Sequence, residues 1–92
     1  MLIGSVKEKF EIGGLGLVVV LDIFNEQLAE NLALRVGDRI ELQGDEGNAL
    51  QTNVAGIEHC DPWTPQRLFA FLLPSTVESK QVQLGMSVTK LD

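Results

Sequence analysis

The stretch FEIGGLGLVVVLDIF, residues 10–24, decides the fold. It sets three glycines, Gly13, Gly14 and Gly16, ahead of an almost unbroken apolar run. Such a pattern has two physical readings. A dinucleotide-binding loop needs G-x-G-x-x-G between a strand and a helix, because the helix N-terminus holds the phosphates. Here Gly14-Leu15-Gly16 leads into Leu17-Val18-Val19, with no third glycine and with residues that favour a strand. A Walker loop needs Gly-Lys-Ser/Thr, which the chain lacks. The glycines therefore read as a hairpin turn, where positive φ or a close backbone approach is required.

The segments on either side of this turn fit the hairpin. In residues 6–12, Val6, Phe10 and Ile12 share one face, while Lys7, Lys9 and Glu11 take the other. That alternation predicts a half-buried strand. Residues 17–24 are apolar on both faces: Leu17, Val19, Leu21 and Ile23 on one, Val18, Val20 and Phe24 on the other, interrupted by Asp22. Residues 67–73 repeat the property, with Leu68, Ala70 and Leu72 against Phe69, Phe71 and Leu73. A strand apolar on both faces must be covered on both. One face fills a core, and the other needs a neighbouring segment, a second copy or a partner.

The remaining segments are short and punctuated. Asn25 is a candidate N-cap, and Leu28 and Leu32 lie one helical turn apart, which predicts one or two helical turns over residues 25–33. Val36-Gly37-Asp38 forms a turn into an alternating strand, residues 39–43, and residues 44–48 return the chain as a hairpin tip. Leu50, Thr52 and Val54 alternate, but Ala55 and Ile57 continue in the opposite phase, so a β-bulge is expected near Ala55-Gly56. Two prolines bracket Trp63 in Asp61-Pro62-Trp63-Thr64-Pro65, giving a stiff loop. Pro74 ends the second doubly apolar strand, and Gly85 precedes a last strand over residues 86–91. Turn signals recur about every eight to twelve residues, as in small sandwiches and barrels. The expectation is an all-β fold in one domain, residues 1–92: a small closed six-stranded barrel with a short helical insertion near residues 25–33.

Composition narrows the function classes. Thirteen acids against seven bases leave a formal charge of −6, and the bases are scattered. Nucleic-acid backbones and anionic membrane surfaces are bound by clustered Lys and Arg, so the acidic balance disfavours both. Cys60 is the only cysteine, which leaves no internal disulfide framework. The start, MLIGSVKEKF, lacks a signal-peptide core, and no apolar run approaches membrane-spanning length. A cytoplasmic protein is expected.

Candidate chemistry is sparse. His59 and Cys60 pair a base with a thiol, but neighbouring strand residues face opposite sides, and no third group orients them. They also fall short of the four ligands a zinc site takes. Asp45-Glu46-Gly47-Asn48 lacks the ligand spacing of a calcium loop and reads as a solvated hairpin tip. Trp63 either caps a barrel end or anchors a partner, and Leu28 and Leu32 form either a lid on the core or a docking stripe. Phe24, Leu28, Leu32 and Trp63 are the candidate partner-binding residues. No catalytic, cofactor-binding or metal-ligating residue is assigned.

The order of motifs resembles the second, β-barrel domain of translational GTPases of the elongation factor Tu type. Phe10, Ile12, Gly14, Gly16 and Val18 match its opening hairpin, and Val36-Gly37-Asp38-Arg39-Ile40 its central turn and strand. Val54-Ala55-Gly56-Ile57-Glu58 matches the bulged strand, and Val82-Gln83-Leu84-Gly85-Met86 the closing turn. The resemblance implies the barrel fold. It does not carry over the family's GTP-binding domain, or by motif the pocket that holds the aminoacyl end of tRNA. Residues 25–33 are longer than the family's connection. The expected function is a non-catalytic, stand-alone barrel that binds a protein partner or associates with itself. The alternative expectation is a translation- or RNA-associated accessory barrel.

Overall fold

In the computed structural model, residues 1–24, 34–58 and 68–91 are described. The helical turns expected over residues 25–33, with Leu28 and Leu32, lie outside them, as do Trp63, His59 and Cys60. The described residues form seven strands: β1 (Leu2–Ile12), β2 (Gly16–Ile23), β3 (Arg39–Gln43), β4 (Ala49–Asn53), β5 (Gly56–Glu58), β6 (Leu68–Leu73) and β7 (Ser87–Lys90). A short 3-10 helix, η1 (Ser79–Gln81), lies between β6 and β7. All pairings are antiparallel, within one sheet ordered β4-β3-β7-β1-β2-β6-β5.

Residues 10–24 do form a hairpin. Ile12 pairs with Gly16, and the Leu15 N–H donates to the Ile12 carbonyl at 3.0 Å. Gly14 takes φ +80° and Gly16 φ +142°. A Cβ on Gly16 would stand 2.4 Å from the Leu73 carbonyl oxygen. Gly16 is thus required both by its backbone angle and by the close approach of β6.

One core fills the inner side of the sheet. β2 supplies Leu17, Val19, Leu21 and Ile23, and β6 supplies Phe71 and Leu73. β3 adds Ile40 and Leu42, and β7 adds Val88. Every second residue of these strands points inward, the period the sequence showed. Val77 and Val82, which flank η1, also join the core. A buried side chain of the Leu, Ile or Phe class contributes about 1.5–3 kcal/mol.

β1 departs from the sequence reading. Its register against β2 shifts between Val6 and Glu8, so Lys7 is an extra residue, and every later side chain changes face. Lys9 pairs with Val19 on the core side, and Phe10 pairs with Val18 on the outside, where it is 53% exposed. Val6 therefore does not share a face with Phe10 and Ile12. The bulge sits where the Val6 N–H donates to the Met86 carbonyl and its carbonyl accepts from the Gly85 N–H, so β1 changes neighbour at this point. The Lys9 ammonium reaches past the core and donates to the carbonyls of Ser79, at 2.7 Å, and Val82. It adds a second donor to the Ser79 carbonyl, which already accepts from the Val82 N–H at 3.1 Å, and it ties β1 to both ends of η1.

The expected six strands become seven at one place. The alternation from Leu50 to Ile57 predicts one strand with a bulge near Ala55-Gly56. The slip is a change of partner: Ala49–Asn53 pairs with β3 and Gly56–Glu58 with β6. At the junction the Val54 N–H donates to the Asp38 carbonyl at 2.9 Å, and the Ala55 N–H to the Leu72 carbonyl at 2.8 Å. The hydrogen-bonded ladder is not closed, because β4 and β5 are its two edges.

Candidate interaction surfaces

The outer side of the sheet carries the second apolar face of β2 and β6. Opposed residues in antiparallel strands share a face. Phe10, Val18 and Leu72 therefore form a row across β1, β2 and β6, and the next row is Glu8, Val20 and Ala70, with Glu8 exposed at its β1 end. Val18 is 1% exposed yet stands apart from the core cluster, and Ala70 is also buried there. Asp22 interrupts this face toward the end of β2. Phe24, the one candidate partner-binding residue among those described, follows β2, is exposed, and donates its N–H to the Ile3 carbonyl. Nothing in the sequence marks Phe10 as part of this face, because the Lys7 bulge that turns it outward is set by the neighbouring strands.

The glycine hairpin has a shallow groove of about 250 Å³ beside it, bounded by Gly13, Gly14, Gly16, Ser75 and Val77. The charged residue on its wall is Glu11, which repels an anion, and no Lys or Arg lines it. This is the opposite of a phosphate cradle.

A second groove, of about 240 Å³, runs between β4 and the η1 crossover. Asn48, Ala49 and Leu50 form one bank, and Lys80, Gln81, Gln83 and Met86 the other. Local hydrogen bonds fix the second bank. The Glu78 N–H donates to the Gln81 side-chain oxygen at 2.8 Å, completing a capping box, and the Met86 N–H donates to the Gln83 carbonyl. Lys80 pairs with Glu78 at 3.2 Å, both well exposed.

Asp45, Glu46 and Asn48 are exposed at the β3–β4 hairpin tip. Among the described residues, no group of three or more His, Cys, Asp or Glu could hold a metal ion. No helix among them is long and apolar enough to cross a membrane. No family model matches the chain, and no curated protein or solved structure matches it either.

Proposed function

We propose that the chain is a non-catalytic interaction module that binds a protein partner or a second copy of itself through the outer wall of its sheet. The observation that carries this reading is the row Phe10, Val18 and Leu72, with Val20 and Ala70 beside it. The accessible part of this face is Phe10, 53% exposed, with half-buried Val20 and Leu72 near it, and an exposed apolar patch suits a surface that another body covers. Phe24, Leu28, Leu32 and Trp63 are proposed as further partner contacts.

The scaffold of the proposal is a barrel whose seam is closed by one bent segment. The two edges of the ladder are successive parts of the chain, and the amides of Val54 and Ala55 bond to β3's approach and to β6 in turn. The kinship with the translation-factor barrel is proposed on the same footing. Its motifs fall on the β1–β2 hairpin, on the turn before β3, at the β4–β5 junction and at the turn before β7. The second reading that goes with this kinship is an RNA-associated accessory barrel, which predicts RNA retention that weakens steeply with salt.

Sedimentation equilibrium over a range of concentrations, with Phe10→Ser as the comparison, tests the first reading. A mass above 10.1 kDa that falls to the monomer value in the variant supports it. A monomer throughout, with equal binding of an apolar fluorescent dye to the chain and its Phe10→Ser variant, overturns it.

A further inference from the structure

The crossover from β6 to β7, residues 74–86, bonds its backbone to itself. The N–H groups of Val77, Gln81 and Val82 donate to the carbonyls of Pro74, Glu78 and Ser79 at 3.0, 3.0 and 3.1 Å. The Met86 N–H returns to the Gln83 carbonyl. The Glu78 N–H donates to the Gln81 side chain, and the Gln83 N–H to the Met86 sulfur. Each of these donors finds its partner three residues away. Amides in β2 and β6, in contrast, belong to ladders between distant segments. The crossover can therefore break its own bonds without breaking a ladder bond. The chain rejoins the sheet where the Gly85 N–H and the Met86 carbonyl bond to Val6.

Side chains attach the crossover to the rest of the fold. Val77 and Val82 belong to the core cluster, at 9% and 0% exposure. From β1, the Lys9 ammonium donates to the carbonyls of Ser79 and Val82. A charged donor makes stronger hydrogen bonds than a neutral one, and both of its acceptors lie on the crossover. Grooves run along the segment on two sides. One reaches Ser75 and Val77 from the glycine hairpin, and the other separates Lys80, Gln81 and Gln83 from β4. The segment is thus anchored along its middle and open along its margins. Segments with local hydrogen bonds and little packing are those that open before the whole domain does.

We infer that residues 74–84 are a strap that lifts off the core as one unit while the strands stay paired, and that Lys9 is its latch. Lifting frees the Lys9 ammonium and uncovers Val77 and Val82. Lys9 itself stays in β1, opposite Val19 on the core side. The strap is therefore on the side of the sheet away from Phe10, and the interaction-module reading neither needs it nor falls with it.

Native-state amide hydrogen exchange through low concentrations of urea tests this on the unaltered chain. Val77, Gln81 and Val82 should exchange together, through an opening of lower free energy and shallower urea dependence than that of Val19 and Phe71. Exchange of these three amides with the free energy and urea slope of Val19 overturns the strap, and no variant is needed for that result. Lys9→Met then tests the latch. It should speed exchange at Val77, Gln81 and Val82 by about tenfold or more. The Gly44 amide, bonded to Asn48 at the far hairpin tip, frays without releasing Lys9 and should stay within about twofold. Lys9→Arg keeps a cationic donor and should stay closer to the parent chain than Lys9→Met does. Unchanged strap exchange in Lys9→Met, or equal acceleration at Gly44, overturns the latch. If Lys9→Met does not fold, Lys9→Arg and Lys9→Gln are compared in its place, and equal strap exchange in the two overturns the latch.

Discussion

The three glycines of the first hairpin give a graded test, because alanine meets a different obstacle at each. At Gly16 the backbone has φ +142°, and a Cβ would come within 2.4 Å of the Leu73 carbonyl oxygen. The dihedral strain is about 1–3 kcal/mol, and moving a backbone carbonyl in a packed ladder adds about 1–3 kcal/mol more. Gly16→Ala should therefore cost about 3 kcal/mol, a fall in Tm of roughly 12–24 °C for a domain of this size. Gly14 has φ +80° but open space around its Cβ position, so Gly14→Ala carries the left-handed penalty alone, about 1 kcal/mol. Gly13 has neither a positive φ nor a neighbour within 4 Å, and its alanine variant should be neutral or more stable by about 0.5 kcal/mol. Urea denaturation of the three variants measures the series. Equal losses at all three positions, or the largest loss at Gly13, would refute the reasoning that Gly16 is held by its contact with β6.

Two further substitutions separate residues that look alike in sequence. Lys9→Met removes the donor to the Ser79 and Val82 carbonyls and should cost about 1–3 kcal/mol, whereas Lys7→Met, at the exposed bulge, should stay within about 0.5 kcal/mol in the same urea assay. Phe71→Ala empties a fully buried site whose ring lies 6.4 Å from that of Phe69, tilted by 42°, and should cost about 3–5 kcal/mol by thermal unfolding. A Phe71→Ala loss no larger than that of Phe10→Ser would contradict the assignment of inner and outer faces.

Local chemistry made part of this structure legible. Gly14 and Gly16 announce the hairpin, because no helix follows them and the next residues are β-branched. The opposite phases of Val54 and Ile57 expose a break in the strand, since a side-chain period of two cannot absorb one extra residue unnoticed. What the break means was not legible: a bulge and a change of partner leave the same trace along the chain. The Lys7 bulge left no trace, because Val-Lys-Glu-Lys-Phe alternates acceptably in either phase and only the Gly85-Met86 backbone beside Val6 decides between them. For the same reason the sequence started the first strand at Val6, although β1 begins at Leu2: the pairs Gly4↔Ile23 and Gly4↔Val88 are set by two distant segments. The outer apolar face was visible in β2 and β6, but its Phe10 flank was not.

The central claim is that one bent segment joins the two edges of the sheet into a single wall. Native-state hydrogen exchange at Val54 and Ala55, followed through low concentrations of urea, tests it most directly. Their adjacent amides bond to the Asp38 and Leu72 carbonyls. The account predicts that both are protected and lose protection together, with the free energy of global unfolding. Fast exchange at Ala55 while Val54 stays protected would show that β5 and β6 open independently of β3 and β4, and would contradict the claim.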